Sequence, residues 1–293
     1  MRYFLAPAVV ALYYQPVMSE ALQQSGRGVS GRPSAVRRGR RSSLRAAESA
    51  IPADEIHLWR ASLEQPVAAT ERLRSLLADD ELARAAKFRF ARDRDRYIVG
   101  RGLLRSLLGS YLQRPPRELR FDYGEFGKPR LEGGGPHFNL SHSGALALFA
   151  FSADVELGVD VELENAEFAK ERIAERFFSE NEVRVLRSLA EPLQATAFMN
   201  CWTRKEAFIK ARGDGLSLRL DSFDVSLAPD APAALLRTEW SAAEPAQWWL
   251  CDLSDASRGY VAAMAMRSDA RCVVSRDVTD GLAVKSITEQ GAD

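Results

Sequence analysis

The first regular pattern in the chain is Glu55-Ile56-His57-Leu58-Trp59-Arg60, which alternates polar and apolar side chains as a half-buried strand does. The period then lengthens. Over residues 70–86, Leu73, Leu76, Leu77 and Leu82 share one side of a helix. Residues 93–112 carry the clearest helical stripe, with Tyr97, Ile98, Leu104, Leu107, Leu108 and Tyr111, and Pro115 and Pro116 stop it. A short strand at 121–123 runs into a turn, and Gly133-Gly134-Gly135-Pro136 is an open loop. Strands are expected over 138–140, 145–152 and 156–162, and a helix over 167–176. Ser179 followed by Glu182 forms a capping box that opens another helix. A further helix spans 194–212 and is closed by Gly213 and Gly215. Strands resume over 223–227, 248–253 and 260–266. Each half is therefore strands plus one long helix, an α+β pattern, with the division near 154. Residues 51–154 and 155–270 are the expected halves, and 271–293, which lack strong periodicity, read as a C-terminal tail.

Composition narrows the class without naming a function. Of 293 residues, 46% are apolar and 27% charged, the balance of a soluble globular protein. Cys201, Cys251 and Cys272 are odd in number and lack C-x-x-C spacing, so neither a disulfide framework nor a structural zinc site is expected, and a cytoplasmic setting fits. His57, His137 and His142 are too scattered for a metal cluster built on histidine. Residues 1–50 differ from the rest: Phe4 to Tyr14 is too short an apolar run to span a bilayer, and an arginine cluster follows at Arg37, Arg38, Arg40, Arg41 and Arg45. This segment reads as a disordered extension or an upstream mis-start, with a transit peptide as the alternative for an Arg-rich, acid-poor stretch. No nucleic-acid or membrane partner is expected.

The zero net charge is a cancellation. Lys and Arg number 40 against 40 Asp and Glu, but residues 1–50 hold 8 of the bases and only 2 of the acids, leaving 32 against 38 in the remainder. Between Leu82 and Arg120 there are 11 bases and 3 acids; between Asp154 and Glu182 there are 10 acids and 3 bases. The basic stretch suits a polyphosphate or an acidic protein partner, or is simply a solvated helix face.

Chemistry concentrates in three pieces. In Gly158-Val159-Asp160-Val161-Glu162, strand alternation puts both carboxylates on one face and both valines on the other. Two such carboxylates repel unless a cation lies between them, and their hard oxygens suit Mg²⁺; a solvated outer strand face is the plain alternative. In Trp202-Thr203-Arg204-Lys205-Glu206-Ala207-Phe208-Ile209-Lys210, the i, i+4, i+8 spacing sets Trp202, Glu206 and Lys210 on one stripe. Trp belongs to a core, so Glu206 and Lys210 enter a partly buried site beside it, as a third metal ligand and a phosphate clamp, or else form an ordinary surface pair. Phe138-Asn139-Leu140-Ser141-His142-Ser143 ends a strand with hydroxyl, imidazole and backbone donors suited to an anion, without the nucleophile-elbow spacing of a serine hydrolase.

Together and in order, Phe126-Gly127-Lys128-Pro129, Phe138 to Ser143, Gly158 to Glu162, Arg176-Phe177-Phe178-Ser179 and Trp202 to Lys210 resemble the surfactin-type 4′-phosphopantetheinyl transferases, over roughly residues 55–266. The resemblance implies a fold of two similar α/β halves related by a pseudo-twofold axis, with a cofactor cleft between them, in a monomer. It implies transfer of the phosphopantetheine arm of coenzyme A to a serine of an apo acyl, peptidyl or aryl carrier protein, with release of 3′,5′-ADP. It places Asp160, Glu162 and Glu206 as Mg²⁺ ligands and Glu206 as general base. Lys205 and Lys210 match phosphate-contacting lysines; Lys128, Ser141 and His142 match further coenzyme A contacts, with Arg96 and Arg84 towards the nucleotide. Another Mg²⁺-dependent phosphotransferase, or a non-catalytic module binding coenzyme A or a carrier protein, are the rival readings.

Overall fold

A computed structural model describes residues 36–38, 50–164, 173–213 and 215–278. In chain order these form β1 (Val36–Arg38), β2 (Glu55–Ser62), α1 (Val67–Arg74), α2 (Asp79–Ala85), α3 (Ala91–Leu112), β3 (Phe121–Tyr123), β4 (Pro129–Leu131), β5 (His137–Ser143), β6 (Leu146–Ser152) and β7 (Leu157–Leu163). There follow α4 (Ala174–Phe177), α5 (Glu180–Ser188), α6 (Glu191–Arg212), β8 (Phe223–Val225), β9 (Leu235–Thr238), β10 (Trp249–Asp252), β11 (Tyr260–Met266) and β12 (Cys272–Asp277). A five-stranded sheet has the order β1-β12-β2-β6-β5, and a three-stranded sheet the order β10-β11-β7.

Side-chain alternation decides which face of each strand meets which layer. On β6, Ala147, Phe149 and Phe151 pack against Leu103, Leu104, Leu107 and Leu108 of α3. The intervening Leu148 and Ala150 join Ile56 and Leu58 against Val159 and Val161 of β7 and Met264 and Met266 of β11. β6 is buried on both faces, which is why it reads as an unbroken apolar run. β11 does the same in the second half: Ala263 and Ala265 turn to Ala207 and Phe208 of α6 while Ala262 and Met264 turn to the centre. The layers run helix, sheet, sheet, helix, and both outer helices have 22 residues. This is the expected α+β plan of two similar halves. Among the described residues, no helix is long and apolar enough to cross a membrane.

Three details depart from the sequence expectation. The helix drawn over 70–86 is two, α1 and α2, because the chain turns at Ser75 to Ala78 before restarting on Glu81, whose carboxylate accepts from the Ala78 N–H at 2.9 Å. Of the helix expected over 167–176, residues 167–172 lie outside the described residues, and α4 covers one turn from Ala174. Residues 271–293 do not begin as a tail: β12 runs parallel to β2 in the first sheet, with β1 on its far side. Its buried Val273 and Ser275 alternate with half-exposed neighbours, a signal too short to stand out in sequence. Apart from β1 and residue 50, the segment expected as an extension lies outside the described residues.

Candidate functional site

β5 and β7 are the facing edges of the two sheets, and their backbones are not paired with each other. An edge strand carries unpaired N–H and C=O groups that need partners when buried. Here side chains supply them. The N–H groups of Val159, Val161 and Leu163 donate to Asn139 Oδ1 at 2.9 Å, Ser141 Oγ at 3.4 Å and Ser143 Oγ at 3.1 Å. The carbonyls of Leu157 and Val159 accept from Lys128 Nζ at 3.2 Å and Lys210 Nζ at 3.4 Å.

The same side chains reach the carboxylates. Ser141 Oγ donates to Asp160 Oδ1 at 2.8 Å, and Lys210 Nζ donates to the same oxygen at 2.6 Å and to Ser141 Oγ at 3.2 Å. Ser143 Oγ donates to Glu162 Oε2 at 2.8 Å. Asp160 is 3% exposed, which removes the solvated-face reading of the strand, and its Oδ2 is buried without a hydrogen-bond partner. The approach of α6 is close because residue 158 is glycine: a Cβ there would lie 2.1 Å from the Ala207 carbonyl oxygen and 2.4 Å from the Ala211 nitrogen. Trp202 anchors the helix one turn before Glu206, edge-on to Phe177 and stacked with Phe198.

Electrostatics at this seam are unbalanced. Burial, then repulsion from Asp160 and Glu206, pushes the Glu162 carboxyl up to about 8, against the Ser143 hydrogen bond and Lys210. Burial also pushes Glu206 up to about 7; Lys210 opposes the rise and Asp160 adds to it. The site as it stands has more carboxylate than cation. His142, on the outer side of β5, has its pKa lowered, first by loss of hydration and then by Lys210 and Arg96, with Asp160 opposing.

The structure thus brings together Ser141, His142, Asp160, Glu162, Glu206 and Lys210, with Arg96 close enough to act on His142. Arg96 donates to Glu64 at 2.6 Å while its Nε is buried without a partner. Lys128 adjoins the group at the start of β7, paired with Glu156 at 2.5 Å; burial lowers its pKa against that pairing. Arg84 packs on α3, its guanidinium 5.5 Å from the centroid of the Tyr97 ring.

Two expectations are corrected. Lys205 does not face the seam. Its ammonium is buried, ion-paired with the Glu182 carboxylate at 2.8 Å, and donates to the carbonyls of Leu220 at 2.6 Å and Phe223 at 2.5 Å, so its charge is met inside the protein. One residue along a helix is a turn of about 100°, so Lys205 faces inward where Glu206 faces β7. Ser141, expected as a coenzyme A contact, has a buried hydroxyl engaged by Asp160, Lys210 and the Val161 N–H, so the hydroxyl is not the group that would make that contact. Sequence reasoning took Ser143 for an anion contact rather than a holder of Glu162, and missed Asn139 and Gly158 as site-building residues. The signal was present: a polar residue at every second position of β5, and a glycine two before Asp160.

The chemistry of the donors fits a hard divalent cation: oxygen ligands on adjacent strand and helix, one of them an orphaned buried carboxylate oxygen. Among the described residues, no three His, Cys, Asp or Glu side chains form a group that could hold a metal ion as they stand.

Two family descriptions match consecutive parts of the chain. Residues 57–154 match the family described as 4′-phosphopantetheinyl transferase, N-terminal, and residues 156–265 match the 4′-phosphopantetheinyl transferase superfamily. The chain is 43% identical over 186 residues to the 4′-phosphopantetheinyl transferase HetI of Nostoc sp., a match covering 62% of this chain and 78% of that protein. It is 39% identical to the 4′-phosphopantetheinyl transferase ffp of Bacillus subtilis, across 55% of this chain and 71% of the relative. It is 34% identical to the 4′-phosphopantetheinyl transferase Sfp of Bacillus subtilis, across 56% and 73%.

Proposed function

The chain belongs to the 4′-phosphopantetheinyl transferase superfamily, and on that premise we propose how its seam performs the transfer. The substrates are coenzyme A and an apo carrier protein; the phosphopantetheine arm passes to a carrier serine. The serine oxygen bonds to the phosphorus that bears the pantetheine arm, the pyrophosphate bond breaks, and 3′,5′-ADP leaves with the bond's electron pair. The attacking nucleophile comes from the partner, so neither Ser141 nor Ser143 has to be one.

The observation that carries the reading is the buried, unpartnered Asp160 Oδ2 in a group of three carboxylates that hold too little positive charge. Asp160, Glu162 and Glu206 would hold Mg²⁺, whose chemistry there is to neutralise and polarise the pyrophosphate. Glu206, on the helix side of the group, takes the proton from the carrier serine, a contribution typically worth ~10²–10⁴-fold. Lys210, already turned to this seam, steadies negative charge on the transferring phosphate. His142, Arg96 and Lys128 line the route of the nucleotide as donors and cations. Lys205 and Ser141 act from inside the protein.

The basic stretch from 82 to 120 suits an acidic carrier surface, and the association is electrostatically steered. The enzyme is read as a cytoplasmic monomer without nucleic-acid or membrane partners. The free thiols of Cys201, Cys251 and Cys272 support the cytoplasmic part of that reading. The test is to incubate the protein with Mg²⁺, coenzyme A and several apo carrier domains, and to weigh the carriers. A gain of one phosphopantetheinyl group that disappears in Glu206→Ala is expected. No gain on any acyl, peptidyl or aryl carrier would defeat the proposal.

A further inference from the structure

We infer that Asn139, Ser141 and Ser143 act as a side-chain ladder that holds the metal-binding carboxylates in place, and that Ser143 is a positioning residue for Glu162. The inference rests on the metal site proposed above and adds residues that do not touch the cation or the substrate.

The three residues lie on one face of β5 with a period of two. They accept from N–H groups at 159, 161 and 163, a period of two on β7 with a constant offset. The register of β7 against the first half is thus set by side chains rather than by a backbone ladder. A slip of one residue would exchange the carboxylate face of β7 for its valine face.

Ser143 joins this register to the site. Its oxygen accepts from the Leu163 N–H at 3.1 Å, which leaves the hydroxyl hydrogen to donate, and the acceptor is Glu162 Oε2 at 2.8 Å. Glu162 sits near the open end of β7, where Leu163 is 47% exposed, so packing alone does not hold its side chain. Ser141 does the same for Asp160, but it shares that work with Lys210. Ser143 donates the hydrogen bond to Glu162, while Lys210 acts on that carboxylate through its charge. Groups that hydrogen-bond a metal-ligating carboxylate typically change metal affinity by 10–100-fold when removed.

The experiment measures Mn²⁺ binding to the full chain by electron paramagnetic resonance, without substrate, in wild type, Ser143→Ala, Ser143→Thr and Ser143→Val. The Thr and Val side chains have nearly the same shape, and only Thr keeps the hydroxyl. We expect affinity about 10–100-fold weaker in Ala and Val, restored to within a few-fold in Thr, with coenzyme A binding in chelator equal in all four. The Mg²⁺ concentration giving half-maximal transfer should shift in parallel. Val binding Mn²⁺ as tightly as Thr overturns the inference, as does Thr no better than Ala. Wild type that binds no divalent cation would instead overturn the metal site itself.

Discussion

Gly158→Ala tests most directly whether the site depends on how closely α6 approaches β7. The added Cβ would lie 2.1 Å from the Ala207 carbonyl oxygen, 2.4 Å from the Ala211 nitrogen and 2.8 Å from Lys210 Cβ. None of these is the end of a flexible side chain, so the strand and helix backbones must separate. Moving from 2.1 Å to an ordinary contact of 3.4 Å takes a retreat of about 1.3 Å, and misplacement by about 1 Å is already enough to cost on the order of 10²-fold in rate. The retreat pulls Glu206 and Lys210 away from Asp160, so the loss should fall on kcat and on Mg²⁺ dependence together. Overpacking of this kind costs about 1–3 kcal/mol, and for a folded body of this size each kcal/mol lowers Tm by about 2–4 °C. Gly100→Ala is the control: its Cβ would meet only Leu63 Cδ2, at 3.5 Å. Inside α3 that substitution should stabilise by about 0.5–1 kcal/mol and leave transfer intact. The assays are a melting curve and carrier mass gain against time, both with and without Mg²⁺. Gly158→Ala with wild-type kcat/KM would refute the reasoning, because a helix that moves 1 Å without consequence cannot be what positions the carboxylates.

Three further outcomes follow from the geometry. Lys205→Met leaves the Glu182 carboxylate buried without its cation and should cost about 3–5 kcal/mol in a denaturant titration; adding Glu182→Gln should recover much of this, with KM for coenzyme A unchanged throughout, and a tenfold rise in that KM would return Lys205 to the phosphate. Asp224 has its pKa lowered: burial acts to raise it, but hydrogen bonds from Arg237, Ser179 and Asn181 outweigh that. The stability it contributes is therefore present above its unfolded value of 3.8 and lost as pH falls through the lower folded value, so Asp224→Asn should flatten the acid limb of the Tm–pH curve and leave the neutral region nearly parallel to wild type. Raising ionic strength should slow transfer to acidic carriers through kcat/KM, since a Debye length near 10 Å at 0.1 M screens long-range attraction; a salt-independent rate would remove the steering role of the 82–120 stretch.

The elements that sequence made legible are those whose periodicity is long or whose punctuation is strong. α3 shows because its apolar stripe persists for 22 residues. α5 shows because Ser179 and Glu182 cap it reciprocally, at 3.2 Å and 2.9 Å. β12 was not legible: its pattern is brief, and its partner β2 begins more than two hundred residues earlier in the chain. The carboxylates of β7 and the stripe of α6 were legible as chemistry because charge is out of place beside valine and tryptophan. Which lysine reaches the site was not. Lys205 and Lys210 are both cations on one helix, and only the location of Glu182, Leu220 and Phe223 shows that the first is enclosed.

The seam also explains why the motifs take the form they do. An edge strand that must be buried against another edge needs partners for its backbone, and an active site needs donors that hold its carboxylates. In this fold one set of side chains meets both needs, because a serine hydroxyl accepts from an N–H and donates to a carboxylate at once. That requirement selects small hydroxyl residues at alternate positions of β5, glycine where β7 meets α6, and a lysine long enough to touch the Val159 carbonyl and Asp160 together. The consequence is a coupling between architecture and catalysis: a change that loosens the union of the two halves should appear first as weakened cation binding, before any loss of secondary structure. The interior of each half has its own helix–sheet core to hold it, whereas at the β5–β7 seam the ladder adds to the packing of Val159 and Val161 between the sheets and alone reaches the carboxylates' side of β7.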